Sequence, residues 1–297
     1  MSEGEADARP ARGLLQLEVG DSPLRSEHER LLRTALRRGE KDPEGALAAG
    51  RLEGRYEARS LRLAANTWRA RVVHEHDSAA VFSRLLPQLM AAGAALEFKT
   101  AVLRMSMDEL RHASLCAGVV KLLGGDPAVE VDLATQPLPE HPDATPREAA
   151  LRNAIFVGCL SETVSIALLT EERELTREPV IRRVVDQLAA DEVLHAKLGW
   201  SYLVATWPTL DEAARARTRA YLPVAFGFLE AKMLDAMPLG PTLPDDLRDE
   251  LEALGCLDPA DARELLYATI EGVIAPRLAE HGLDGKRAWA ERRRPGA

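Results

Sequence analysis

Aromatic residues make up only 4% of this 297-residue chain, and its three cysteines, Cys116, Cys159 and Cys256, form no C-x-x-C pair. An odd, scattered set of thiols excludes a rubredoxin-type centre and fits a reducing compartment. No run alternates apolar and polar residues with the Val, Ile and Thr enrichment of strands. No segment offers the roughly eighteen uncharged apolar residues of a membrane span, and the opening MSEGEADARPARG lacks the apolar stretch of a secretory leader. Charge of one sign is not concentrated either. The 38 basic and 47 acidic residues are interspersed, so the net charge of −9 favours solubility and builds no surface for nucleic acid. A cytoplasmic protein with neither nucleic acid nor membrane as partner is expected.

What is abundant is Ala, Leu, Arg and Glu, the composition of an all-α protein with a large core. Residues 1–21 are charged and punctuated by Gly and Pro, which predicts disorder. Residues 22–55 read as an N-terminal extension, with a short helix over 26–38 and a brief one around 44–49. Residues 56–208 carry four long helical patterns, and 209–297 read as a helical extension packed on them, broken near Asp258-Pro259 and at Pro276.

Along the first long pattern the apolar positions Trp68, Val72, Ala79, Phe82, Leu86 and Leu89 recur in steps of three and four, and the missing step is filled by Glu75. The second runs Phe98, Val102, Met105, Glu109, His112, Cys116, Val119, ending at Gly124-Gly125. A long Pro-rich connection follows, and Thr145-Pro146-Arg147-Glu148 has the cap-then-proline pattern of a helix start. The third carries Leu151, Ile155, Gly158, Glu162, Ser165 and Leu169. The fourth opens at Pro179 and carries Ile181, Val185, Leu188, Glu192, His195, Gly199 and Tyr202. Two hairpins joined by one long crossover are thereby predicted.

Glu109 and His112, like Glu192 and His195, stand three residues apart, so each pair lies one turn apart on one helix face and can grip a single cation. Each pair also follows another inward Glu, Glu75 or Glu162, after 34 and 30 residues respectively. Four carboxylates and two imidazoles inside one bundle would each retain a penalty of several kcal/mol. Two divalent cations cancel the four negative charges. Oxygen and imidazole donors without thiolate suit iron or manganese better than structural zinc. The competing reading makes both pairs solvent-facing helix residues, which requires six polar side chains to fall on four apolar stripes by accident.

The order Glu, Glu-x-x-His, Glu, Glu-x-x-His resembles the ferritin-like di-iron carboxylate superfamily over residues 56–207, about half of the chain. The resemblance implies a ferritin-like four-helix bundle holding two Fe ions, or a manganese–iron pair. Glu75, Glu109 and His112 would serve one ion and Glu162, Glu192 and His195 the other, with Glu109 and Glu192 spanning both. It also implies dioxygen as co-substrate, and an oxidase or oxygenase acting on a small organic substrate with a separate electron donor. A ferroxidase, iron-storage or peroxide-scavenging role is the alternative, and metals kept only for structure a third. A homodimer is compatible with any of these. Asp108 and Asp191, just before each ligand Glu, are placed like an aspartate of the bacterial multicomponent monooxygenases, which implies that they hold a ligand His of the neighbouring helix. Otherwise they are exposed acids on the helix flank.

His74 and His76 flank Glu75 but point about a hundred degrees away from it. They read as flank residues, and His28, His141 and His281 as unremarkable. Cys116 and Tyr202 read as core, and Arg111 as the partner of a nearby acid. Gly158 and Gly199, each a turn from a ligand, either allow tight helix packing or leave space beside the metals.

Overall fold

The computed structural model describes residues 12–15, 43–132, 138–237 and 242–292. The helix expected over 26–38 lies outside the described residues, as does His28. Within the stretch expected to be disordered, β1 (Arg12–Leu15) is an ordered strand, paired antiparallel with β2 (Val129–Asp132) in the register Arg12 to Asp132 and Leu15 to Val129. The pairing partner lies over a hundred residues away, so no local pattern announces it.

The rest of the described chain is almost wholly helical. α1 (Pro43–Ala49) precedes the long α2 (Ala58–Ala91), which runs on through Pro87 and stops at Gly93, whose φ of +64° an L side chain would resist. The inward series of α2 is Trp68, Val72, Glu75, Ala79, Phe82, Leu85 and Leu89. Leu85 takes the buried place expected of Leu86, because the step after Phe82 is three. α3 (Leu96–Leu122) returns alongside it.

The crossover leads to α4 (Pro146–Leu175), capped at its start by the Thr145 hydroxyl, which accepts from the Glu148 N–H. α4 widens into a π-helical turn over Ile155–Ser161, immediately before Glu162. It is the one helix among the described residues with the length and apolarity to cross a membrane, but 61% of its apolar window is buried inside the protein. α5 (Pro179–Thr206) pairs with α4, while α3 packs on α5 and α2 on α4.

Beyond these four come α6 (Glu212–Ala236), α7 (Arg248–Ala253), α8 over residues 259–280 and α9 (Gly285–Ala290). α8 starts at Pro259 under an Asp258 cap, and it does not break at Pro276: a π-helical turn over Ile270–Ile274 leads directly into Ala275–Glu280. Such a turn leaves backbone carbonyls free of the ordinary ladder just where proline removes a donor. α6 packs on the first half of α4, α8 on its second half, and α7 on α2.

The apolar interior divides into two clusters. One holds Phe82, Met105, Leu160 and Leu198; the other holds Trp68, Val72, Cys116, Leu169 and Leu188. On each of the four long helices the expected ligands fall between residues of the two clusters. An acidic layer therefore separates them.

Candidate metal centre

All six side chains singled out by spacing are buried, with His112 and His195 at 0% exposure, which excludes the solvent-facing reading. They form two overlapping groups. Glu75, Glu109, His112 and Glu192 offer donor atoms within 4.8 Å of one another, as do Glu109, Glu162, Glu192 and His195. Glu109 and Glu192 belong to both, so each carboxylate has one oxygen for either group.

His112 Nδ1 faces Glu75, Glu109 and Glu192 oxygens at 3.6, 3.7 and 3.7 Å, and it has no hydrogen-bond partner. Those separations are too long for hydrogen bonds. Donors about 2.1 Å from a shared cation at right angles stand about 3 Å apart, so an orphaned ring nitrogen ringed by three carboxylates is what a divalent cation would complete. His195 Nδ1 lies 3.0 Å from Glu109 and 3.2 Å from Glu192. The donor set thus fits a metal ion in each group.

The ring nitrogens pointing away from the cluster meet the two aspartates across the helix pair. His112 Nε2 is 3.1 Å from Asp191 of α5, which also accepts from Gln187 at 2.8 Å. When the ring is neutral, a proton held on Nε2 by Asp191 would leave the Nδ1 lone pair directed at the carboxylates. His195 Nε2 stands 3.6 Å from Asp108 of α3 and has no hydrogen bond, while Arg104 Nε donates to both Asp108 oxygens at 2.7 and 2.9 Å. The two halves of the site are alike in plan but unequal in detail.

Burial, then the Glu192 charge, pushes Glu109 up to about 7, and the same two causes raise Glu162 well above the usual carboxylate range. Burial disfavours charged imidazoles, yet the surrounding carboxylates outweigh it and raise both His112 and His195. Burial also opposes ionisation of Glu75 and Glu192, but the imidazoles hold both low. Without a cation the layer therefore retains protons at neutral pH.

Several other readings are settled by the geometry. Gly158 and Gly199 pack backbone to backbone: a Cβ on either would come within 2.5 Å of the other's Cα, so they bring α4 against α5 and leave no cavity between them. Arg111 makes a two-point ion pair with Glu44 of α1 at 2.6 and 3.1 Å. His74 and His76 stay off the cluster. Cys116 and Tyr202 are core, and all three cysteines are free and buried. His141 departs from expectation: it is buried at the end of the crossover, bonded to Asn153 and set edge-on to Tyr221.

Sequence reasoning missed Glu172, which is buried and pairs with Arg71 at 2.6 Å beside the site. The signal was present, since Glu162, Ser165 and Leu169 continue by a step of three to Glu172. Two cavities adjoin the layer, of about 260 and 330 Å³, and Ser78 and Glu162 line both. α6 supplies a wall of each. No family model matches this chain, and no curated protein or solved structure matches it.

Proposed function

We propose that the chain is a ferritin-like di-iron carboxylate protein, its four long helices forming the bundle, and that it works as a dioxygen-dependent oxidase or oxygenase on a small organic substrate in the cytoplasm. The observation that carries this reading is the pair of overlapping donor groups sharing Glu109 and Glu192, buried next to two cavities. A pair of ferrous ions, when bound there, supplies two electrons to dioxygen. The protein's part is to hold and to exclude. Glu75 and His112 would serve one ion, Glu162 and His195 the other, with Glu109 and Glu192 between them. Asp191 and Gln187 keep the His112 proton on Nε2, away from the ions. Val81, Phe82, Phe156 and Val157 give the larger cavity an apolar wall beside Glu162, the surroundings in which a small apolar substrate is held. Electrons for further turnovers come from a separate donor.

The cavities favour this reading over iron storage, which needs no pocket for an organic molecule. The test is dioxygen consumption by the anaerobically ferrous-loaded protein. Uptake in proportion to the bound iron, with no mineral on repeated iron additions and a monomer or dimer in solution, is the expected result. A large shell that accumulates ferric mineral would replace the oxygenase by a storage protein. No uptake at all would leave a structural metal site.

A further inference from the structure

The larger cavity has an uneven chemistry. Its walls are mostly apolar, and apart from Glu162, which belongs to the acidic layer, Lys232 is its one charged lining residue among the described residues. Lys232 continues a stripe of α6 that begins with Val224 and Phe228 at four-residue steps, so the three share a face. Val224 and Phe228 are exposed at 43% and 42%, an uncovered apolar rim ending in an ammonium group. Phe228 meets Phe156 of α4 edge to face at 5.4 Å across the cavity wall. Lys232 makes no ion pair among the described residues.

The other cation near the layer does not compete for the same role. Arg71 lines the adjoining cavity, but its charge is taken by Glu172 at 2.6 Å. Asp108 is likewise matched by Arg104, and Asp191 has Arg111 Nη1 at 3.9 Å. Four carboxylates with two divalent cations are neutral in sum. Lys232 stands at the mouth of an apolar cavity with no carboxylate paired to it among the described residues, in a protein whose net charge is −9.

We propose that the substrate is a small organic acid whose apolar body occupies the 330 Å³ cavity and whose single negative charge is held at the rim by Lys232. This rests on the di-iron reading above and names the substrate class for that site. The rim pair Val224 and Phe228 covers the body next to the acid group. An ammonium at the end of an apolar slot selects against amides and amines of the same shape. Lys232 is then a specificity-determining residue, with no part in holding the metals.

Calorimetric titration of the anaerobic ferrous-loaded full chain tests this with phenylacetate, phenylacetamide and phenethylamine, the metal content of each sample being measured in parallel. Phenylacetate is expected to bind about tenfold or more tighter than the amide, and the amine weakest. Lys232→Gln should remove the acid's advantage while leaving amide binding and metal content as in the wild type, and Lys232→Arg should keep it. Equal binding of acid and amide, no binding of either, or an acid preference that survives Lys232→Gln because the carboxylate ligates iron directly, each overturns the proposal. A wild-type chain that binds no iron fails earlier, in the metal analysis, and overturns the di-iron reading with it.

Discussion

The two ring nitrogens of His112 have different surroundings, and that division would suit the residue to hold a cation. Asp191 lies 3.1 Å from Nε2 and would hold the proton there in the neutral ring. That leaves Nδ1, without a hydrogen-bond partner among three carboxylates, free for a cation once its own proton is lost. Asn at position 191 could donate to Nε2 through its amide and move the ring proton onto Nδ1, the wrong tautomer for metal. Asp191→Asn should weaken metal binding by about 10–100-fold with the fold intact, measured by competition with a chelator; unchanged affinity would show that the tautomer is set elsewhere. Protonation also opposes loading. With Glu109 near 7 and both imidazoles raised, metal entry must expel protons, so affinity should fall as pH drops through about 7 and loading should release acid into unbuffered solution. The stability of the metal-free protein should run the other way. Glu109 binds protons more tightly folded than unfolded between its usual 4.5 and about 7, so stability falls as pH rises through that window. The imidazoles act in the same sense: their stabilisation is full below about 6.5 and fades as pH climbs through their raised values. Glu75, Glu192 and Asp191, held low, act oppositely and only on the acid side. Melting temperatures of chelated protein should therefore decline from about pH 5 to 8; a rise over that range would mean the layer is not protonated as described.

At the scale of elements, α4 and α5 meet through Gly158 and Gly199, and the π-helical turn that includes Gly158 delivers Glu162 to the layer. Gly158→Ala would drive a methyl group against backbone atoms of Gly199 at 2.5 and 2.8 Å, with no flexible side chain to yield. A destabilisation of about 1–3 kcal/mol or more is expected from such overpacking, read from a denaturation midpoint, together with loss of metal; a wild-type midpoint would show that the helices can part freely. The four long helices and the burial of all six polar side chains were legible in the sequence because burial of an amphipathic face repeats at helical steps, and a charged residue on such a stripe stands out. The π-helical turns were not, since one extra residue per turn shifts the phase without changing the kind of residue used. The β1 to β2 pairing was hidden for another reason: its partners are brought together by the fold and by no local pattern.

Across the whole molecule, the acidic layer parts two apolar clusters, and each of the four helices crosses from one cluster through the layer to the other. The division explains why spacing alone revealed the buried acidic and imidazole side chains, and also where it stopped. The cavity wall from α6 joins Val224, Phe228 and Lys232 to a site made by helices that precede it, and nothing in the α6 sequence marks which of its faces meets them. If cations neutralise the layer, their removal should lower the melting temperature near neutral pH, because any ligand binding only the folded state stabilises it by mass action. The most direct measurement is a count of iron bound per chain after anaerobic ferrous loading and removal of the excess. About two per chain is expected for the intact protein, with a clear reduction in Glu109→Ala and in His195→Ala. No iron above background in the intact chain, or unchanged loading in both variants, would contradict the account.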